Sequence, residues 1–182
     1  IGIDATVAMY IAAVIIVCYT FLGGFSAVCW TDFFQGLLML GALLIAPIFA
    51  LAIINNQGTA VTMSQLPENY WNLFTNWKDI VSGLGWGLGY FGMPHIIIRF
   101  MSLRSDKDLK KSAKIGIIWT LLILSFSVAA GIIGHIFLGE IEDSSTVFIT
   151  MVRKIFPALI SGILLSAILA AAMSTADSQL LA

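Results

Sequence analysis

The chain has 182 residues, of which 59% are hydrophobic and only 10% are charged, and its mean hydropathy is +0.99. Ordinary soluble domains carry about 25% charged residues, so this composition excludes such a domain and indicates an integral membrane protein. The net charge of −1 identifies no partner by itself, and we expect none among nucleic acids. The two cysteines, Cys18 and Cys29, have neither the spacing of a zinc site nor that of a disulfide framework.

Five apolar spans follow one another, each near the roughly 20 residues that a helix needs to cross a bilayer. They cover Ala5–Ala27, Thr31–Ile54, Val81–Phe100, Ala113–Leu138 and Pro157–Ala182. Each is apolar on nearly all faces, as expected for helices in a membrane bundle. We therefore predict an all-α membrane protein with five transmembrane helices in one domain that covers residues 1–182. Because the chain starts without methionine and stops within an apolar pattern, we expect it to belong to a longer protein.

Basic residues predict how these helices are oriented. Six of them cluster between the third and fourth spans: Arg99, Arg104, Lys107, Lys110, Lys111 and Lys114. Loops rich in lysine and arginine stay on the cytoplasmic side, so we expect this loop to be cytoplasmic. The loop Asn55–Asp79 and the acidic loop after the fourth span should then be external. The short turn between the first two spans should be cytoplasmic.

The turn between the first two spans contains Thr31 and Asp32, with Gln35 one turn later. Either of the first two side chains would cap the second helix, whose first amides lack partners inside the helix. The alternative is a functional one, in which Asp32 receives a cation that leaves toward the cytoplasm. The residues alone leave both interpretations open.

The third span is predicted to be a broken helix. Five glycines and one proline fall within residues 83–94, and each disfavours a helix interior, by about 1 kcal/mol for glycine and about 3 kcal/mol for proline. Broken helices inside a membrane are tolerated where they line a cavity, and secondary transporters use them to bind substrate. Trp86, Tyr90 and Pro94 are four residues apart, which predicts one substrate-binding face. Alternatively, the glycines let neighbouring helices approach closely.

The last span carries Ser174 and Thr175 side by side, three to four residues after Ala171. The two hydroxyls and the Ala171 carbonyl are hard oxygen ligands of the kind that a small alkali cation prefers. Asp177 follows within one turn, and an ionisable residue inside a membrane span suggests a functional site. The alternative is that both hydroxyls bond back to carbonyls one turn earlier.

Three blocks of sequence resemble the sodium:solute symporter family, and within it the sodium/proline symporters. They are Tyr19-Thr20-Phe21-Leu22-Gly23-Gly24 with Trp30-Thr31-Asp32, Gly85-Trp86-Gly87-Leu88-Gly89-Tyr90-Phe91-Gly92-Met93-Pro94-His95 with Arg99-Phe100-Met101, and Ser161-Gly162-Ile163-Leu164-Leu165-Ser166-Ala167-Ile168-Leu169-Ala170-Ala171 with Met173-Ser174-Thr175. They extend over nearly the whole chain in the order found in that family.

The resemblance implies the inverted-repeat fold of the leucine transporter, with the five spans as the fifth to ninth of about thirteen. It implies that Trp86, Tyr90 and Pro94 bind substrate. Sodium would be bound by Ala171, Ser174 and Thr175, and would pass Asp32. The family completes its sodium site with carbonyls of its first core helix, which this sequence lacks. Two departures stand out: Met93 replaces a glutamine beside the substrate face, and Asp177 replaces an uncharged residue that lies near the sodium path.

We therefore expect a multi-pass protein of the cell membrane that couples Na⁺ entry to uptake of a small organic solute, an amino acid such as proline being the first choice. Pantothenate, a short carboxylate or a sugar are alternative solutes. Its partners would be the solute, the lipid bilayer and the remaining helices of the same transporter. We do not expect an enzyme, although an intramembrane hydrolase using Ser161 or Ser174 with a histidine, and a channel, are rival interpretations.

Overall fold

The computed structural model describes residues 4–56, 76–90, 92–139, 141 and 143–182. They form six α-helices and no strand within these ranges, which confirms the predicted all-α class. The helices are α1 (Ala5–Asn56), α2 (Trp77–Tyr90), α3 (Pro94–Met101), α4 (Asp106–Leu138), α5 (Val147–Ile155) and α6 (Ala158–Leu180). Among the described residues, α1, α4 and α6 are long and apolar enough to cross a membrane.

Helix α1 reverses direction at Gly24. Its 52 residues would extend about 78 Å if straight, more than twice the thickness of the hydrocarbon layer. Gly24 has φ 56° and ψ −155°, a conformation open essentially only to glycine. The Tyr19 hydroxyl lies against the Gln35 side chain, although a straight helix would place these residues about 24 Å apart. The two parts, α1a (5–23) and α1b (25–56), are therefore separate helices, and they meet earlier than the predicted turn.

The third predicted span is interrupted where its glycines and proline predict a break. Helix α2 ends at Tyr90, and α3 begins at Pro94 after a turn in which the Gly92 amide donates to the Gly89 carbonyl. Proline is suited to this first helical position, because its missing N–H is not needed there. The break therefore ends one helix and begins another without leaving a helix interior distorted.

The other predicted boundaries differ from the observed helices by up to seven residues. Helix α4 begins at Asp106, seven residues before the predicted start, because Ser105 caps it by accepting from the Asp108 amide at 3.3 Å. Helix α6 lies within the fifth predicted span. Residues 57–75 of the predicted external loop lie outside the described ranges.

Helix α5 was not predicted, since it lies within the loop that was expected to be external. It is preceded by a 3₁₀ turn (Ser144–Thr146), whose start is capped by Asp143. The Ser145 side chain and backbone amide both donate to that carboxylate, which lowers the pKa of Asp143 below its usual value. Met151 and Val152 of α5 are fully buried, so this short helix is part of the packed core.

Small residues form the contact between α1b and α6. Ala42, Ala46 and Ala50 recur every four residues along one face of α1b and are at most 2% exposed. They belong to one buried cluster with Leu164 and Ala167 of α6. Small side chains let helix backbones approach closely, which is the usual basis of helix packing in membranes. This contact directs the carboxyl-terminal turns of α6 toward the turn at Gly24.

Replacement of Gly24 by alanine should destabilise the full-length protein by about 1–3 kcal/mol, because alanine is strained at a positive φ with this ψ. The measurement is the free energy of unfolding in detergent. Gly41→Ala is the matched control: an added Cβ meets no atom within 4 Å at either position, and Gly41 is helical, so the control should be neutral or slightly stabilising. Equal stability of both variants would contradict a requirement for glycine at the reversal.

Candidate functional site

Asp177 is fully buried near the carboxyl-terminal end of α6. The hydroxyl of Tyr19, from α1a, donates a hydrogen bond of 2.5 Å to one oxygen of its carboxylate. Because an ionisable side chain in a membrane span requires polar partners, this bond ties α1a to α6. The predicted site residue Asp177 is thus held between two helices.

Asp32 is the meeting point of three helices. Its carboxylate accepts from the hydroxyl of Ser174 on α6 at 2.6 Å. The Ser178 hydroxyl lies 3.2 Å from the same carboxylate but closer, at 2.7 Å, to the Ser174 carbonyl. Asp32 also forms an ion pair with the Arg99 guanidinium of α3, which donates to the Ser178 hydroxyl as well, at 2.5 Å. The capping interpretation of Asp32 is wrong, because the residue lies inside α1b and its side chain is used in these contacts between helices.

Thr31 does not cap a helix either. Its hydroxyl lies within hydrogen-bond distance of the carbonyls of Ala27 (3.1 Å) and Val28 (2.9 Å) in the preceding turn. The helix is continuous there because the chain has already reversed at Gly24, so no free amides remain for either side chain to cap.

The two predicted sodium-binding hydroxyls have different partners. Thr175 donates to the Ala171 carbonyl at 3.0 Å, which is the back-bonded arrangement considered for an ordinary helical hydroxyl. Ser174 instead reaches across to Asp32. Three neutral oxygens therefore lie within one turn of α6, and their chemistry fits a small hard cation once the Thr175 hydroxyl releases the carbonyl.

Of the three predicted substrate residues, only Tyr90 lies beside the predicted sodium-binding hydroxyls. Tyr90 lines a cavity of about 370 Å³ together with Ser174 and Thr175. Trp86 packs its ring 5.7 Å from that of Tyr90 but is itself 69% exposed. Neither Trp86 nor Pro94 lines this cavity.

A second cavity, of about 670 Å³, opens between α1b, α3, α4 and α6. Asp32 and Trp119 are among its lining residues, and Arg99, Phe100 and Ser174 line both cavities. The ion pair of Arg99 and Asp32 therefore lies where the Tyr90 cavity meets the larger one.

Sequence reasoning did not identify the partners of the two carboxylates. Arg99 is 67 residues from Asp32 along the chain, and Tyr19 is 158 residues from Asp177, so no local spacing indicates either pair. The available signal was that a buried carboxylate needs a partner of some kind. Within the described part of the chain, Asp177 also keeps one oxygen without a hydrogen-bond partner, as do Thr20 and Gln35 nearby.

Tyr19→Phe should lower the stability of the full-length protein by about 1 kcal/mol, the magnitude usual for a hydrogen bond between membrane helices. The change removes a single oxygen and leaves Asp177 with less compensation for its burial. Unfolding in detergent measures the loss. Tyr10→Phe is the control, since Tyr10 lies on the same helix and is 64% exposed, and it should have no effect. Similar losses in both variants would contradict a specific role for the Tyr19–Asp177 bond.

Apolar helices that break beside a cluster of carboxylates and hydroxyls indicate a multi-pass membrane protein, and such breaks are typical of secondary transporters. The chain matches the model of the sodium:solute symporter family over residues 1–182. It is 45% identical over 186 residues to sodium/proline symporter 2 of Staphylococcus saprophyticus and to the sodium/proline symporter of Staphylococcus aureus strain USA300. This chain belongs to the sodium:solute symporter family.

The two alignments cover 99% of this chain and 36% of each relative, so the chain spans about a third of the length of the relatives it matches. No solved structure matches the chain. In bacteria such as these staphylococci, the membrane of a multi-pass symporter is the cell membrane.

Proposed function

We propose that this chain is part of a symporter that couples the entry of Na⁺ to the uptake of a small organic solute, with proline as the first candidate. Family membership supports the sodium coupling, and the names of the two staphylococcal relatives support proline. Pantothenate, a short carboxylate or a sugar are the alternative solutes that the test below distinguishes.

One observation carries the proposal: Tyr90, at the end of a broken helix, lines the same cavity as Ser174 and Thr175. A solute bound at the break and an ion bound at the hydroxyls would then be close enough to affect each other. Such coupling is reciprocal, so bound solute would tighten sodium binding by the same factor as sodium tightens solute binding. Trp86 and Pro94, on the two sides of the break, are proposed to contact the solute although neither lines the Tyr90 cavity among the described residues.

Sodium is proposed to bind the Ser174 and Thr175 hydroxyls and the Ala171 carbonyl, together with groups from helices of the symporter beyond this chain. Binding requires Thr175 to turn its lone pairs, rather than its proton, toward the ion. Each Na⁺ that enters a negative interior releases about 2.3 kcal/mol per 100 mV, which drives the solute inward. The proposed setting is the inverted-repeat fold of the leucine transporter, in which such sites lie at mid-membrane.

Asp32 and Asp177 are proposed to line the route by which sodium leaves. Because the Arg99–Asp32 ion pair lies where the two cavities meet, its opening would join the Tyr90 cavity to the larger cavity beside α4. The basic loop at the start of α4 would place this exit on the cytoplasmic side.

A hydrolase is not favoured by the contacts of its candidate serines. Ser161 is buried and its hydroxyl lies near the carbonyls of Val152 and Phe156, at 3.2 and 2.9 Å. The Ser174 hydroxyl donates to Asp32. Within the described residues, neither serine forms a hydrogen bond with a histidine, which a serine nucleophile needs for activation.

The first test is a panel of radiolabelled solutes, given to proteoliposomes of the full-length protein with and without an inward sodium gradient. Proline should accumulate against its own gradient, and the accumulation should collapse when sodium is replaced by choline. Uptake that only equilibrates would indicate a channel instead. If another solute accumulated in a sodium-dependent way and proline did not, sodium-coupled symport would be supported and proline would be excluded as the substrate.

The second test uses Thr175→Ala in the full-length protein. Loss of one ligand should raise the sodium concentration for half-maximal uptake by about tenfold or more, the equivalent of roughly 1.4 kcal/mol. Ser166→Ala is the control, because Ser166 lies on the same helix and its hydroxyl likewise bonds back, to the Ile163 carbonyl. An unchanged sodium dependence in Thr175→Ala would remove this residue from the ion site.

Tyr90→Ala provides the complementary change. It should raise the half-saturating solute concentration much more than that of sodium, because the ring is proposed to contact the solute and is not itself a proposed ion ligand. Leu88→Ala, an exposed position on the same helix, should leave both values near those of the unaltered protein. Equal shifts for solute and sodium in Tyr90→Ala would contradict the assignment of the two sites.

A further inference from the structure

The first two turns of α4 carry a row of lysines that neither the ion site nor the solute site uses. Lys107, Lys110, Lys111 and Lys114 are all exposed. At 100° per residue their side chains fall within an arc of about 100° on one side of the helix, here named the lysine face. Within the described residues, none of the four forms a salt bridge, since the ion pair found there joins Arg99 and Asp32.

The lysine face points away from the rest of the described protein. The opposite side of α4 packs inward, with Trp119 close to Gly36 of α1b and with Ala130 and Gly134 buried. Along the lysine side the helix continues with apolar residues that are half exposed, Ile118 at 49% and Leu121 at 60%. The four amines thus lie at one end of an apolar stripe that is exposed among the described residues.

Two acidic residues flank this face: Asp106 is four residues before Lys110 and Asp108 is three residues before Lys111, spacings at which ion pairs can form on a helix. Within the described residues neither carboxylate forms a salt bridge with a lysine, and the four lysines outnumber the two carboxylates. Asp108 is moreover engaged by the capping Ser105, whose hydroxyl donates to its carboxylate at 2.8 Å. The long lysine stems can follow the apolar surface while their amines reach the level of the headgroups.

We propose that the lysine face is a binding site for the headgroups of anionic phospholipids in the leaflet that borders the start of α4. Charge complementarity selects the anionic headgroup, and continuity with the apolar stripe selects a lipid, whose chains would lie along Ile118 and Leu121. Clustered basic residues at the end of a membrane helix attract anionic lipid, by roughly fivefold in binding constant per lysine. This site is independent of the solute and of the coupling ion.

The test measures retention of phosphatidylglycerol and of phosphatidylcholine by the purified full-length protein, by native mass spectrometry after lipid titration. The variant Lys110→Gln/Lys114→Gln should lower the preference for phosphatidylglycerol by roughly 25-fold, from two losses of about fivefold each. The control Lys78→Gln/Arg153→Gln removes the same two charges from exposed positions on α2 and α5 and should change it less than twofold.

Three further outcomes decide the proposal. Lys110→Arg/Lys114→Arg should keep the preference, because it keeps both charges; loss in this variant would overturn a headgroup site based on charge. Displacement of the lipid by millimolar inorganic phosphate would show a general anion patch and would overturn the lipid assignment. Failure of a water-soluble amine reagent to modify Lys110 and Lys114, with lipid removed, would show that other helices of the symporter cover the face, which also overturns it.

Discussion

A carboxylate among apolar helices needs hydrogen-bond donors or a cation, and Asp32 obtains both from helices distant in sequence. Arg99 supplies the cation from α3, and Ser174 supplies a hydroxyl from α6. If the carboxylate lost these partners it would be left uncompensated in an apolar surrounding, so the three helices are held together at this point. The position of the broken helix beside the hydroxyls of α6, on which the proposed transport depends, follows from this one group.

The second constraint is the backbone itself. Inside lipid a backbone amide or carbonyl without a hydrogen-bond partner costs several kcal/mol. The chain therefore departs from helical geometry at residues whose own backbone conformation favours the break, such as glycine and proline. Gly24 reverses α1 in a conformation that other residues avoid, and Pro94 restarts the helix after the break at Gly92. The residues beside these two irregular places, Phe25 and Tyr90, line the two cavities that share Arg99.

The all-α class and the broken third span were predictable, because composition and helix-breaking residues act locally. The reversal was placed a few residues late, since Phe25, Ala27 and Val28 extend the apolar pattern beyond it, although Gly23-Gly24 is a turn signal. The role of Asp32 was open for another reason: capping is a local function, whereas its observed partner Arg99 is brought near by packing. Helix α5 was missed because a nine-residue amphipathic segment gives a weak signal inside a polar loop.

The contact between α1b and α6 has a consequence for movement. At one end of the contact, the alanines of α1b pack against Leu164 and Ala167 of α6. At the other end, the hydroxyl of Ser174 on α6 donates to Asp32 on α1b. Sliding by one helical turn, about 5.4 Å, would break that bond and bring other side chains of α6 against the alanines. These contacts therefore favour a single register between the two helices. In the proposed symporter, exposure of the site to alternate sides would then come from joint rotation of α1b and α6, or from movement of α3, which is joined to them through Arg99.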